Sequence, residues 1–91
     1  MPYIKPDQKP AVDKYGPSTP GELNYAITRL ISYYVAREAV LRKDGYSYTA
    51  LNDVLGALEG AKLEFVRRVV VPYEDRKISI NGDVYDSILV P

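Results

Sequence analysis

The sequence predicts an all-α protein. An antiparallel helical hairpin spans about 20–43 and 49–71. A third helical segment, kinked at Pro72, runs to about 81, and residues 1–19 form an extended proline-rich arm. Three observations carry that prediction. Apolar residues recur at helical spacing in two long stretches. Start and stop signals bracket those stretches. A single proline, Pro72, interrupts the second.

The arm holds Pro2, Pro6, Pro10 and Pro17, with Pro20 at its end. Proline lacks an amide donor and fixes φ, so extended or polyproline-like backbone is expected. The arm is either a loose tail or a strap that packs on a neighbour through Tyr3, Ile4, Val12 and Tyr15. At Thr19-Pro20-Gly21-Glu22 the chain changes character. Threonine followed three residues later by glutamate is a capping box, and Pro20 falls at the first helical position. Leu23, Ile27, Leu30, Ile31, Tyr34 and Leu41 then recur at helical spacing. Arg37, Arg42 and Lys43 suit the C-terminal end of the helix dipole, and Asp44-Gly45 stops the helix.

Ser47 or Thr49 caps the second helix. Leu51, Val54, Leu55, Leu58, Lys62, Phe65, Val66, Val69 and Val70 form its stripe, with Lys62 as the one charged member. The link is short, which makes the two helices antiparallel neighbours. Beyond Pro72, Tyr73 to Lys77 look helical and Asn81-Gly82 ends the segment. The alternative is a short β-hairpin over 77–86 about Asn81-Gly82. Helix is favoured, because Glu74 through Lys77 are poor strand formers.

Ninety-one residues make one small domain, an arm (1–19) on a helical body (20–91). A chain of this size gains little from burial over the entropy of ordering, and it has no cysteine to staple it, so association with other chains is expected. It has no histidine, the commonest general base and zinc ligand. Twelve basic residues balance twelve acidic ones, which argues against generic nucleic-acid binding. MPYIKPDQKP has no apolar core of a signal peptide, and no apolar run approaches the roughly 20 residues of a membrane span. A soluble, cytoplasmic protein with no membrane partner is expected.

Gly56 and Gly60 lie one turn apart in the second helix, each at a cost of about 1 kcal/mol against alanine. With Ala57 and Ala61 they make a shallow strip that admits a close partner. Helix one of the same chain, helix two of a second chain, or a ligand would fill it. Gly56, Ala57, Gly60 and Ala61, with Tyr3 and Ile4 of the arm, are therefore the candidate oligomer interface. Arg67, Arg68 and Arg29 are candidate anion ligands, because guanidinium forks match phosphate or carboxylate. The plain alternative is a solvated face with Glu59–Lys62, Glu64–Arg67 and Glu64–Arg68 pairs. Of nine tyrosines, most suit core or interface, while Tyr46, Tyr48 and Tyr73 sit near a link or kink and suit ligand contact. Glu22, Asp53, Glu59 and Glu64 raise a Mg²⁺-dependent hydrolase, but Glu59 and Glu64 diverge on the helix. No nucleophile elbow, phosphate loop or dinucleotide fingerprint is present. No catalytic residue, metal site or cofactor is assigned.

PGELNYAITRL (20–30), LNDVLGALEGAKLEFVRRVVVPYEDRK (51–77) and NGDVY (81–85), after an MPYIKP start, resemble a small family from phage and bacterial genomes, a domain of unknown function. The likeness covers most of residues 20–85. This chain has Gly60 where that family often has cysteine, Val66 where it often has tyrosine, and Ser79-Ile80 where it is more acidic. The resemblance implies a phage or mobile-element setting and lends no catalytic residue. The expected function is thus a non-enzymatic, homo-oligomeric binding protein of phage type. It would hold a host protein or a small phosphorylated, nucleotide-like ligand at a chain interface. A purely structural interaction module and a small Mg²⁺-dependent nucleotide hydrolase are the alternatives.

Overall fold

The computed structural model describes residues 4–42, 47–86 and 88–90. Its helices are α1 (Lys9–Tyr15), α2 (Pro20–Arg42), α3 (Tyr48–Phe65) and α4 (Val71–Asn81). A 3-10 turn, Pro6–Gln8, precedes α1, and a π turn, Val66–Val70, joins α3 to α4. No strand occurs among the described residues, so the fold is all-α. The chain divides into two units, Met1–Val54 and Leu55–Pro91.

The arm corrects the prediction of extended backbone. Residues 6–15 are helical, and a non-helical link follows at 16–18. The prolines explain it. Pro6 opens the 3-10 turn and Pro10 the first turn of α1, where a missing N–H costs no hydrogen bond. The Gln8 side chain accepts from the Lys5 amide at 2.7 Å and so caps the entry. Gly16, at φ +89°, ends α1 and donates its N–H to the Val12 carbonyl at 2.9 Å. Val12 is the buried residue of α1, at 5% exposure.

α2 starts where the sequence says. The Glu22 amide donates to Thr19 Oγ1 at 3.1 Å, half of the expected capping box. The Glu22 carboxylate reaches one residue further back, accepting from the amide and the hydroxyl of Ser18, both at 2.9 Å. Half-buried residues on α2 fall in two patches: Gly21, Glu22, Tyr25, Ala26 and Arg29 near its start, Ile31, Val35, Glu38 and Ala39 further on. The expected stop at Asp44-Gly45 lies outside the described residues.

Ser47 is the cap of α3, its Oγ accepting from the Ala50 amide at 3.2 Å. Ala50 is buried at 2% exposure, and the Tyr34 hydroxyl donates to Asp53 Oδ2 at 3.2 Å. Within the first unit, these contacts place the opening turns of α3 beside α2. Val12 and Ala50 are the only buried apolar residues among those described.

In the second unit Pro72 does not break the helix. Its ring would crowd the Arg68 carbonyl four residues back. The backbone answers by widening: Val71 donates its N–H to the Val66 carbonyl, five residues back, and Val70 and Val71 keep right-handed helical dihedrals. α4 then runs to Asn81 and is capped by Gly82 at φ +85°, whose N–H meets the Ile78 carbonyl at 2.8 Å. The alternative β-hairpin at 77–86 is corrected by this helix, which extends through Lys77–Asn81. Asp83 and Asp86 then order the tail by accepting from the amides of Tyr85 (3.0 Å) and Ile88 (2.9 Å).

Candidate functional site

The most connected polar cluster lies between α1 and α2. The Tyr25 hydroxyl donates to the Asp13 carboxylate, 2.9 and 3.1 Å from its two oxygens. Arg29 Nη2 donates to the Tyr33 hydroxyl at 2.7 Å, and the guanidinium lies 4.8 Å from that ring's centroid. Arg29 Nε is buried without a hydrogen-bond acceptor, 4.0 Å from Asp13 Oδ1. Lys9 stands over the Tyr25 ring at 6.0 Å. Partial burial raises the Tyr25 phenol above its ordinary pKa. The Asp13 hydrogen bond and negative charge add to this, while Arg29 opposes it. Chemically the cluster is a seat for α1. Asp13 cancels the charge that would make Arg29 an anion ligand.

Sequence reasoning picked Arg29 but missed Asp13 and Tyr25. Tyr25, Arg29 and Tyr33 stand at successive i,i+4 positions on α2, so they share one face. That spacing was the available signal. Asp13 could not be found, because the arm's helix was not foreseen.

The other proposed ligand residues are placed as follows. Arg67 Nη2 meets the Glu64 carboxylate at 3.0 and 3.1 Å, the i,i+3 pair expected of a solvated face. Arg68 follows it in the π turn and has no ion pair among the described residues. Tyr73 lies at the start of α4 with Lys77 5.6 Å from its ring centroid. Tyr48 is exposed at the first position of α3, in the other unit. Arg29 belongs to the first unit, Arg67, Arg68 and Tyr73 to the second. Tyr46 and Tyr3 lie outside the described residues; Ile4 is half-buried.

A Cβ built at Gly56 or Gly60 meets no heavy atom within 4 Å. At 100° per residue, Leu55, Leu58, Lys62 and Phe65 share one side of α3, and the two glycines fall on the opposite side. Ala57 and Ala61 lie between the two. Lys62 pairs with Glu59 at 3.9 Å. Leu55, Leu58 and Phe65 are exposed, and so, on α2, are Ile27, Leu30, Tyr34 and Leu41. An open groove of about 420 Å³ between α4 and the tail, lined by Lys77, Ile78, Val84 and Tyr85 among others, brings no cluster of cations together. Among the described residues no group of three His, Cys, Asp or Glu side chains could hold a metal ion. No described helix is long and apolar enough to cross a membrane.

The family described as "Domain of unknown function (DUF6899)" matches residues 1–84. The chain belongs to this family. The match includes all four helices, the α1–α2 cluster, the π turn and the Gly82 cap. DUF6899 is thus an all-α domain as this chain folds it. No curated protein and no solved structure matches the chain.

Proposed function

We propose that this DUF6899 chain is a non-enzymatic, self-associating helical interaction protein of phage type, acting in the host cytoplasm, whose assembled form binds a host protein. One observation carries the reading: most of the large apolar residues described are exposed. Among its described residues the first unit buries two small apolar side chains, Val12 and Ala50, while Leu23, Leu30, Val40 and Leu41 stay exposed. The second unit buries none among its described residues, and Leu55, Phe65, Val69 and Ile80 stay exposed. Apolar surface on this scale marks an interface. A core this small also leaves a chain of this size short of stabilising burial, and association supplies the remainder.

The phosphorylated-ligand version has less behind it. Arg67 is engaged by Glu64, and Arg29 shares its surroundings with Asp13. A native mass spectrum of the full chain purified from cells tests the proposal. An oligomer of the bare chain is expected. A bare monomer at micromolar concentration refutes self-association, and retained small-molecule mass that survives Arg67→Ala with Arg68→Ala refutes the arginine site.

A further inference from the structure

Arg29 is poorly served by the carboxylate beside it. Asp13 spends both oxygens on the Tyr25 hydroxyl, at 2.9 and 3.1 Å. Arg29 Nε, 4.0 Å from Asp13 Oδ1, is buried and left without an acceptor. A buried N–H with no acceptor is costly, more so on a charged group. A carboxylate set squarely on a guanidinium takes Nε and a terminal nitrogen together, in the fork geometry that arginine favours. Asp13, in its place on α1, hydrogen-bonds neither.

We propose that the Tyr25–Arg29–Tyr33 face of α2 is a binding site for an acidic segment of a partner protein. α1 covers it as a built-in competitor, with Asp13 standing in for the partner's carboxylate. The proposal rests on the reading of this chain as a protein-binding module and names the partner's chemistry. The partner segment presents an aspartate or glutamate beside a small apolar residue, as α1 presents Asp13 beside Val12. It gains the Nε hydrogen bond that α1 leaves unmade.

Three observations favour this arrangement. The first is that α1 is easily lifted. It has seven residues, one buried side chain in Val12, and otherwise exposed polar ties to α2. The second is that α2 does not need α1 for its own start. Thr19 Oγ1 takes the Glu22 amide, and the Glu22 carboxylate takes the Ser18 amide and hydroxyl. All of this cap lies beyond Gly16, where the chain turns at φ +89°. α1 can leave while the face beneath it stays formed. The third is charge. Of the cluster's two cations, Lys9 leaves with α1 and Arg29 stays. Glu22 lies on the same side of α2, two turns earlier. One positive charge with a carboxylate nearby suits a single carboxylate better than a phosphate dianion. A phosphate also has nothing apolar to put where Val12 sits.

A labelled peptide of residues 5–16 serves as the partner segment, and fluorescence anisotropy reads its binding to the full-length chain. Val12→Ala in the protein opens the face about tenfold and should tighten peptide binding about tenfold, because the apparent dissociation constant scales inversely with the open fraction. Equal affinity would show that α1 guards nothing. Asp13→Asn in the peptide and Arg29→Gln in the protein should each weaken binding at least tenfold. Binding that ignores both overturns the carboxylate site. Inorganic phosphate that displaces the peptide as well as unlabelled peptide does overturns the partner in favour of a small anion. Hydrogen exchange of the natural chain keeps the test independent of how the variants fold. Saturating peptide should speed the Gly16 amide at least tenfold and leave the Gly82 amide unchanged; an unchanged Gly16 overturns the competition. A native-mass oligomer that binds no peptide overturns this inference and leaves self-association standing. A monomer that binds it removes self-association and leaves this inference standing.

Discussion

Truncating Val12 to alanine should release α1 and little else. Val12 is 5% exposed and is the one buried residue of α1. The substitution removes two methyl groups. At about 0.8 kcal/mol per buried CH₂ that is about 1.5 kcal/mol, with a small cavity penalty because the surroundings are open enough to relax. The remaining ties between α1 and α2, the Tyr25–Asp13 hydrogen bond, the Arg29–Asp13 contact and Lys9 over the Tyr25 ring, are exposed polar contacts that solvent weakens. A helix of seven residues does not hold itself together once detached. The open fraction of α1 should therefore rise about tenfold, since 1.4 kcal/mol is a factor of ten. Hydrogen exchange resolves this by segment. The Gly16 amide, bonded to the Val12 carbonyl, should exchange about tenfold faster. The Gly82 amide, bonded to Ile78 in the other unit, should keep its rate. Unchanged exchange at Gly16 would show that Val12 does not seat α1. Equal acceleration in α1 and α2 would show that α1 is no separable element.

Three further outcomes follow from the same contacts. The Tyr25 phenol has a raised folded pKa, so its contribution is fully present below its unfolded value near 10 and is lost as pH climbs through the folded value. Alkaline titration followed at 295 nm, with α1 exchange in parallel, should show late ionisation coupled to α1 release, and Tyr25→Phe should abolish the coupling. Pro72→Ala restores an amide donor and removes the ring that crowds Arg68. Val71 should then bond four residues back instead of five, and stability should rise by about 1–3 kcal/mol in thermal unfolding; a π turn that persists in backbone chemical shifts would absolve the proline. Gly60→Ala meets open space and should raise stability by about 1 kcal/mol without altering the native mass spectrum. If that variant loses assembly, the glycine strip is itself a contact.

Much of this fold is legible in local signals. Thr19 and Glu22 announce the start of α2 and Asn81-Gly82 the end of α4, because caps are set by neighbours within one turn. The arm misled because proline was weighed by its number rather than its position; at a first helical turn it opens a helix. The π turn was readable only as an interruption at Pro72. Whether a helix breaks, bends or widens there depends on how the upstream carbonyls are resatisfied, which composition does not encode. The site was less legible still. Glu64–Arg67 followed from i,i+3 spacing, whereas Asp13, Tyr25 and Arg29 meet only because α1 exists and docks.

The widened turn at Val66–Val70 also works as a ruler. It inserts roughly one residue into the helical count, so side chains of α4 are rotated by about 100° from the line set by α3. A helix laid along Leu51 to Phe65 loses its track there: Arg76 and Ile80, which an unbroken helix would bring onto that line, are turned off it. Any coiled pairing that uses α3 is thereby cut to a fixed number of layers. A grip of limited length closes on a partner and stops, whereas an unbroken apolar stripe would go on recruiting helices end over end.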